Sequence, residues 1–417
     1  MGVRKLHMRQ AYRIIPVYTA DVSGVCSALY ELGGMVVMHD PSGCNSTYNT
    51  HDEIRWYEQD SLIYISGLTE IDAVMGNDAK FIRDIEETAK ELHPKFIALA
   101  GSPIPFMNGT DFPALAQVIE TETGIPAFAI PTNGMHDYTY GAGLALAKLA
   151  ERFVQPIDAT KVTGATRTDI SDVTSTGRFS HTLNLLGVTP LDFGPQQNAD
   201  CMKQNLAKHG WQVISTWAMG DSLENISHAA EAEVNLVVSS VGLETAKVLK
   251  DKFGTPYVIG TPVGDFTEDI VMTLDKVTKN TDQQKKSSAK ESISVVSDKP
   301  EIPYLQNRLS EPQEITLIGE AVTMGSLAAA IEKKYHKAVR VICPLETNAG
   351  LLALNDRVAK GEEEVQELLK DARIIIADPL YRPICPKSSS FYELPHIAFS
   401  GRIFLRGIKE GKYLSEI

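Results

Sequence analysis

Two cysteines flank an apolar segment near the start of the chain. Cys26 and Cys44 stand on either side of residues 35–39, Met-Val-Val-Met-His, whose composition predicts a short buried strand. Asp40-Pro-Ser-Gly43 predicts a turn, so Cys44 is expected just beyond the carboxyl end of that strand. Open α/β sheets bind ligands at that end of their strands. Thiolates placed there could ligate a soft metal or take part in redox chemistry.

Two polar loop clusters carry side chains that are suited to acid/base chemistry. They are His51-Asp52-Glu53 and Met135-His136-Asp137. Imidazole titrates near neutrality, which suits it to proton transfer. Solvated loop residues without a catalytic role are the alternative interpretation, and the sequence leaves both open.

The chain has five cysteines, an odd and low number for its length, which argues against a secreted disulfide framework. A zinc site could combine Cys26 and Cys44 with His39 or His51, but no C-x-x-C pair is present to form a local knuckle. The remaining cysteines are scattered singly and are expected to be small buried hydrophobic residues: Cys201, Cys343 and Cys385.

Several common catalytic and nucleotide-binding motifs are missing from the sequence. Glycines follow the strand-like segments that end at Leu186 and Ile318, but neither has the G-x-G-x-x-G spacing of a dinucleotide site. No G-x-x-x-x-G-K-[ST] phosphate loop and no G-x-S-x-G nucleophile elbow occur. Nucleotide binding and serine hydrolase chemistry are therefore not expected of this chain.

Length, charge and hydropathy limit the classes of protein to consider. The chain has 417 residues, so two or three domains of about 100–150 residues each are expected. Its formal net charge of −13 argues against nucleic acid and anionic membrane surfaces as partners. No run of about 20 apolar residues is present, and the N-terminus lacks the apolar core of a signal peptide. A cytoplasmic location is expected.

Strand-like and helix-like segments alternate along the chain, which predicts α/β domains with parallel sheets. The predicted units are residues 1–157, 158–275 and 313–417, with a helix tail and polar linker at 276–312. Predicted strands lie at 35–39, 62–66, 96–100, 126–130, 182–187, 212–217, 233–239, 257–260, 314–319, 339–343, 374–378 and 396–400. Predicted helices lie at 78–92, 112–123, 141–153, 198–210, 243–253 and 324–335, and a last helix begins at Arg402.

Three segments in the first unit resemble those of a known family. They are Gly-Val-Cys at 24–26, Val-Val-Met-His-Asp-Pro-Ser-Gly-Cys at 36–44, and Ser-Gly-Leu-Thr-Glu-Ile-Asp-Ala-Val-Met-Gly at 66–76. In this order they resemble the first domain of nitrogenase component 1 type oxidoreductases and their nitrogenase-like relatives. Shorter likenesses follow, so the resemblance covers nearly the whole chain: 131–135, 234–238, 252–256 and 398–401.

The resemblance implies three Rossmann-like domains and a 4Fe-4S cluster shared with a homologous subunit, in a homodimer or a hetero-oligomer. Cys26 and Cys44 match the first two ligand positions, and Gly43 matches the turn before the second. Ser102 stands where the family has a third cysteine; it would either contact the cluster or only cap a helix. Two cysteines from each subunit supply the four ligands of one 4Fe-4S cluster.

A second departure from the family concerns the active-site cofactor of true nitrogenases. Ser239 stands at the position of the cofactor cysteine, and Pro395, with His396 beside it, stands near that of the histidine. The resemblance therefore implies no molybdenum–iron cofactor, and nitrogen fixation is not expected.

The implied function is that of a nitrogenase-like reductase component. Electrons would come from a separate iron protein, which alone binds ATP, and would reach a small-molecule substrate in a three-domain cleft. The substrate would be an unsaturated ring, a tetrapyrrole-like macrocycle or an organosulfur compound. Candidate pocket residues are Ser239, Glu346 and the catalytic candidates His51, His136 and His396, with His136 or His51 as proton donor. The alternatives are an iron–sulfur assembly scaffold and a cluster-less ligand-binding protein.

Overall fold

The computed structural model describes residues 12–41, 43, 48, 53–157, 178–288, 300–310 and 313–410, with the backbone alone for 281–288, 409 and 410. These residues form three separate sheets, in which all paired strands run parallel. Helices flank each sheet, so the predicted α/β class with three parallel sheets is confirmed. None of the described helices is long and apolar enough to cross a membrane.

The first sheet has the strand order β2-β1-β3-β4. Its strands are β1 (Met35–His39), β2 (Ile63–Ile65), β3 (Ile97–Gly101) and β4 (Ala127–Ile130). Its helices are α1 (Asp21–Leu29), α2 (Glu70–Met75), α3 (Asp78–Leu92), α4 (Pro103–Asn108), α5 (Phe112–Thr123) and α6 (Tyr138–Phe153). The strand predicted at 35–39 and the helices predicted at 78–92 and 112–123 have the predicted bounds. The sequence did not predict α1, α2 and α4.

The second sheet has the order β6-β5-β7-β8. Its strands are β5 (Phe179–Leu186), β6 (Gln212–Ser215), β7 (Ala232–Val237) and β8 (Tyr257–Ile259). Its helices are α7 (Pro190–Phe193), α8 (Gln196–Lys208), α9 (Leu223–Ser227), α10 (Leu243–Phe253) and α11 (Thr267–Ser288). Short 3-10 helices lie at Ala229–Glu231, Ser240–Gly242 and Gly264–Phe266.

The third sheet has the order β11-β10-β9-β12-β13. Its strands are β9 (Gln313–Ile318), β10 (Ala338–Cys343), β11 (Arg357–Val358), β12 (Ile374–Ala377) and β13 (Ser390–Glu393). Its helices are α12 (Ala321–Tyr335), α13 (Glu362–Leu368), α14 (Ile397–Ser400) and α15 (Leu405–Glu410). Further 3-10 helices lie at Pro303–Leu305, Ala349–Leu351 and Pro379–Ile384.

The strand predicted at 396–400 is wrong. Residues Ile397–Ser400 form the short helix α14, and the last strand of the sheet is β13. The side chains of β13 are mostly exposed because it is an edge strand, so it lacks the apolar pattern that predicts a strand. Helix α14 is apolar because all four of its residues are buried.

Helix α3 illustrates how local sequence fixes element bounds. The Asn77 side chain accepts a hydrogen bond from the Lys80 amide and caps the first turn. Phe81, Ile85 and Ala89 recur every four residues and form its buried stripe. The helix ends at Leu92, and the next residue, His93, has a left-handed φ of 49°.

Helices α1 and α6 pack at unusually short range. A Cβ atom on Gly24 would lie 2.2 Å from the Tyr138 carbonyl oxygen, and one on Gly141 would lie 1.9 Å from the Asp21 carbonyl oxygen. Both distances are far inside van der Waals contact, so only glycine fits at either position. This close approach sets the position of α1, which carries Cys26, relative to α6, which begins at Tyr138.

We expect Gly24→Ala and Gly141→Ala each to lower the free energy of unfolding by about 3 kcal/mol or more, because the added methyl group meets rigid backbone. Urea denaturation of the full chain measures the loss. Gly407→Ala in α15 is the matched control, since its Cβ would meet open space and alanine favours a helix. Wild-type stability in both packing variants would contradict the close approach.

Candidate functional site

Polar side chains from all three sheets meet in one buried cluster, which we call the junction cluster: Tyr138, Asp192, Ser239, Glu320 and His396. Tyr138 begins α6, and the Asp192 and Ser239 side chains follow the carboxyl ends of β5 and β7. Glu320 follows β9, and His396 precedes α14. Each is at most 7% exposed. The junction is therefore where the carboxyl ends of strands from separate sheets converge.

Asp192 is the centre of the junction cluster. Its Oδ1 accepts a short hydrogen bond from the Tyr138 hydroxyl, and its Oδ2 accepts one of 2.7 Å from the Ser239 hydroxyl. His396 Nε2 lies 3.4 Å from Oδ1. One carboxylate thus contacts residues that flank three different sheets. Burial and the neighbouring Asp192 raise the pKa of Tyr138 well above its usual value, so Tyr138 remains a proton donor.

Glu320 brings a second buried carboxylate to the junction. It is the N-cap of α12 and accepts hydrogen bonds from the Val322 amide at 3.1 Å and the Thr323 amide at 2.9 Å. The Ser240 amide, from the second unit, donates to it at 3.1 Å. Burial and the nearby Asp192 raise the pKa of Glu320, while these amides lower it. The junction therefore holds two carboxyl groups away from water.

His396 is held at the junction by its backbone and by aromatic neighbours. Its amide donates to Asp378 Oδ2 at 2.8 Å, and burial raises the pKa of Asp378. The imidazole ring is edge-on to Tyr18, with 5.6 Å between centroids, and 6.1 Å from the Tyr138 ring. Neither ring nitrogen has a hydrogen-bond partner among the described residues.

His136 and Glu346 form a second pair, between the first and third units. His136 Nδ1 lies 2.9 Å from Glu346 Oε2, and the His136 ring stacks on Tyr140 at 4.0 Å. The Glu346 amide donates to the Asp137 carboxylate. The candidate residues from the sequence thus fall into two places: Ser239 and His396 meet at Asp192, and His136 meets Glu346.

Cys26 lies on α1 and is fully buried. Burial and the Glu53 carboxylate raise the pKa of its thiol, so the thiol is protonated in this chain on its own. Tyr48 is also close enough to interact electrostatically with Cys26. Cys44 and His51 lie outside the described residues. Gly43 is exposed, with open space around its Cα atom.

Arg55 is the centre of a buried ion network beside Cys26. Its Nε and one terminal nitrogen donate to the two oxygens of Glu53 at 2.7 and 2.9 Å. It also donates to the Ser27 carbonyl at 2.8 Å, to Glu31 at 2.8 Å and to the Ala218 carbonyl of the second unit at 3.1 Å. Arg55 therefore ties the residue after Cys26, the segment around Glu53 and a loop of the second unit together.

Ser102 occupies the N-cap position of α4, but its side chain makes no capping hydrogen bond. It is buried, and its hydroxyl donates to the His39 carbonyl at 2.9 Å. His39 Nδ1 in turn lies 2.8 Å from the Ser66 hydroxyl. Burial lowers the pKa of His39 to about 4, so its imidazole is neutral at pH 7. Ser102 therefore links β3 to the carboxyl end of β1.

A cavity of about 580 Å³ opens beside His39, between α2, α3 and α4. Its wall carries more acidic than basic side chains: Asp72, Asp78, Asp84, Asp111 and Lys80. Exposed apolar side chains of α2 and α4 lie nearby: Ile71, Val74, Met75, Phe106 and Met107. The two helices are joined by a hydrogen bond of 3.0 Å from Asn108 to the Ala73 carbonyl.

Sequence reasoning did not identify Tyr138, Asp192 or Glu320. Asp192 and Glu320 are single acidic residues in apolar surroundings that follow β5 and β9, and such residues after buried strands are a usable signal. Tyr138 carried no such signal, because a tyrosine at the start of a helix is common in any core. Among the described residues, no group of three or more His, Cys, Asp and Glu side chains is arranged to hold a metal ion.

Comparison with known proteins adds an independent line of evidence. The family model described as nitrogenase component 1 type oxidoreductase matches residues 22–299. Nitrogenase iron-molybdenum cofactor biosynthesis protein NifE of Clostridium pasteurianum is 25% identical over 331 residues, which are 74% of this chain and 67% of that protein. NifE of Klebsiella pneumoniae is 22% identical over 55% of this chain and 49% of its own length.

A shorter match has higher identity. One of the subunits of light-independent protochlorophyllide reductase from Zygnema circumcarinatum is 39% identical over 83 residues, 20% of this chain and 16% of that protein. Except for the NifE of Clostridium, this chain therefore spans half or less of the length of these relatives.

Two solved structures, described as nitrogenase Cp1 at pH 6.5 and at pH 5, match 97% of this chain. Their TM-scores are 0.63 and 0.61, and the matches cover 93% and 88% of those chains. At 15% sequence identity, this likeness concerns the fold alone.

We expect Arg55→Met to lower the free energy of unfolding by about 3–5 kcal/mol, because it leaves the Glu53 and Glu31 carboxylates buried without their cation. Arg152→Met is the matched control. One terminal nitrogen of Arg152 donates to both carboxylate oxygens of Glu120, at 2.6 and 2.7 Å, but this pair lies on the exposed surface. Losing this surface ion pair should lower the free energy of unfolding by less than about 1 kcal/mol. Equal losses in the two variants, measured by urea denaturation, would contradict the role of Arg55.

We expect His39 to make stability depend on pH between about 6.5 and 4. Because its pKa is about 4 in the folded chain, the unfolded chain binds more protons in this window, and stability falls as the pH falls. In His39→Gln, the free energy of unfolding should fall by about 2–3 kcal/mol less over this pH range than in wild type. Urea denaturation at a series of pH values measures it. His209→Gln, an exposed control, should leave the pH dependence unchanged; an unchanged dependence in His39→Gln would contradict the prediction.

Proposed function

Because this chain belongs to the nitrogenase component 1 type oxidoreductase family, we propose that it is the iron–sulfur component of a nitrogenase-like two-component reductase. The observation that carries this proposal is the junction cluster, where buried polar side chains meet between three sheets. A reductase needs such a place, closed to bulk water and supplied with proton-bearing groups. We assign substrate reduction to the junction, where His396 and Ser239 flank Asp192.

The proposed cofactor is a 4Fe-4S cluster held by Cys26 and Cys44 of this chain and by two cysteines of a homologous subunit. When bound, the cluster supplies one-electron transfer. Iron binding has to displace the thiol proton of Cys26, as metal binding to cysteine generally does. The Arg55 network suits this role, because it fixes the helix that carries Cys26. The Ser102 hydroxyl donates to the His39 carbonyl, so we assign Ser102 a structural role. Gly43 keeps the role that the resemblance implies, in the turn before Cys44.

The homologous subunit would cover the surface of the segment that follows Glu53. Trp56 is partly exposed and Tyr57 is 82% exposed, in the segment just after Glu53. The Arg402 guanidinium lies 5.0 Å from the centre of the Tyr57 ring. Tryptophan, tyrosine and arginine are the residues enriched at the centres of protein interfaces. A 4Fe-4S cluster takes four ligands and each chain is proposed to supply two ligating cysteines, so a second subunit is also required.

The electron donor in this proposal is an ATP-hydrolysing iron protein. Its docking surface would be the exposed apolar side chains of α2 and α4, since an apolar patch on an otherwise acidic chain marks an interaction site. This patch follows the carboxyl ends of β2 and β3, and in the sequence Cys44 follows the neighbouring strand β1. Electrons would then enter near the cluster and not at the junction.

The second pair, His136 and Glu346, bridges the first and third units at a partly exposed position. We assign His136 to proton supply from solvent towards the junction, because imidazole exchanges protons near neutral pH. His51 is retained as a candidate in the same role. Neither is proposed to touch the substrate.

An assembly scaffold is the second candidate function. The match that covers most of this chain among the relatives above is to a cofactor biosynthesis protein, NifE. A scaffold would hold an iron–sulfur precursor and pass it to another protein. It would bind iron through the same cysteines but would turn over no substrate with an iron protein, ATP and reductant.

Anaerobic reconstitution with iron and sulfide tests the cluster assignment. We expect about four irons per dimer and an electron paramagnetic resonance signal from the reduced protein. Cys26→Ser and Cys44→Ala should each abolish iron binding, whereas Cys201→Ala, a partly buried cysteine of the second unit, should retain it. A dimer that stays colourless and iron-free would refute both cluster functions. Full iron content in Cys44→Ala would refute the ligand assignment.

A further inference from the structure

His396 has an unsatisfied imidazole in the core of the molecule. The residue is 7% exposed, and neither ring nitrogen has a hydrogen-bond partner among the described residues. Leaving a buried polar group without a partner is unfavourable. Nε2 lies 3.4 Å from Asp192 Oδ1, within ion-pair distance but without the alignment of a hydrogen bond. Among the described residues Nδ1 has no carboxylate or other hydrogen-bond partner, so it is the ring nitrogen left for a substrate.

Asp192 is held rigidly by the groups around it. The Tyr138 hydroxyl donates to Oδ1, and the Ser239 and Thr189 hydroxyls donate to Oδ2 at 2.7 and 3.5 Å. These donors come from the first and second units, whereas His396 comes from the third. A carboxylate fixed on one side of an imidazole favours the ring form with the proton on the facing nitrogen.

We propose that Asp192 is a positioning residue that keeps a proton on Nε2 of His396 and directs Nδ1 to the substrate as its proton donor. This rests on the proposed reductase function. In the step, the substrate takes up one electron that originates from the iron protein. The Nδ1–H bond of the imidazolium then breaks, and the proton bonds to the reduced substrate. The ring is left neutral with its Nε2–H facing Asp192, and a solvent proton restores Nδ1–H.

Other groups around the ring are already committed to different contacts. Asp378 accepts from the His396 amide and not from its ring. Glu320 accepts from the amides of Val322, Thr323 and Ser240. The Tyr18 ring makes the edge-on contact with the His396 ring. Burial raises the pKa of Tyr18 well above its usual value, so its hydroxyl keeps its proton. Asp192 is therefore the carboxylate placed to select the ring form of His396.

Nitrogen-15 NMR of the full chain labelled at histidine tests the inference without any cofactor. The His396 signals are assigned by their loss in His396→Gln. We expect the neutral ring of wild type to carry its proton on Nε2, and Asp192→Asn to shift it largely to Nδ1, because the amide of asparagine can donate to Nε2. Asp251→Asn, the same acid-to-amide change at an exposed position of α10, should behave as wild type. The same proton position in wild type and Asp192→Asn would overturn the proposal.

Turnover measurements separate this inference from the proposed function. If the wild-type complex reduces a substrate, Asp192→Asn should lower kcat by about 100-fold with little change in KM, and Asp192→Glu should recover part of the loss. Unchanged kcat in Asp192→Asn would overturn the proton-donor role. A wild-type complex without turnover would refute the reductase function, and the NMR comparison would still decide whether Asp192 sets the ring form of His396.

Discussion

The contact between α1 and α6 is the constraint on which both functional regions depend. Gly24 and Gly141 bring the two backbones so close that a single added carbon would meet a carbonyl oxygen. Helix α1 carries Cys26, and α6 begins with Tyr138, which donates to Asp192. On its other side, α6 packs against the second unit, where a Cβ on Gly143 would lie 3.2 Å from the Val241 carbonyl. The cysteine region and the junction are thus positioned by one rigid pair of helices.

The two regions solve the problem of buried charge in different ways. Beside Cys26, Arg55 neutralises Glu53 and Glu31 through a forked set of hydrogen bonds, the geometry for which arginine is suited. At the junction, Glu320 is stabilised by backbone amides at a helix N-terminus, and Asp192 by hydroxyl groups. The first arrangement favours rigidity. The second leaves the ring nitrogens of His396 without a hydrogen-bond partner in the part of the chain that the structure describes, which suits a place where protons move.

The fold also explains why the candidate residues from the sequence divide into separate groups. Ser239 and His396 both reach Asp192, because each lies beside a strand end or helix start that faces the junction. His136 and Glu346 meet nearer to solvent, since they lie in loops that join the first and third units. Ser102 is turned towards the His39 carbonyl and away from the helix it precedes. Similar residue types therefore have different environments, which only their neighbours decide.

The sequence by itself determined the α/β class, the three parallel sheets and the strands and helices with strong periodicity, because these follow from local patterns of apolar residues. It also indicated the family, from ordered motifs around Cys26 and at residues 66–76. Only the tertiary structure decided that Asp192 is shared by three units, that Arg55 neutralises Glu53 beside Cys26, and that α14 is a helix. Those facts depend on contacts between residues far apart in the chain, and no local pattern encodes which buried acid will meet which donor.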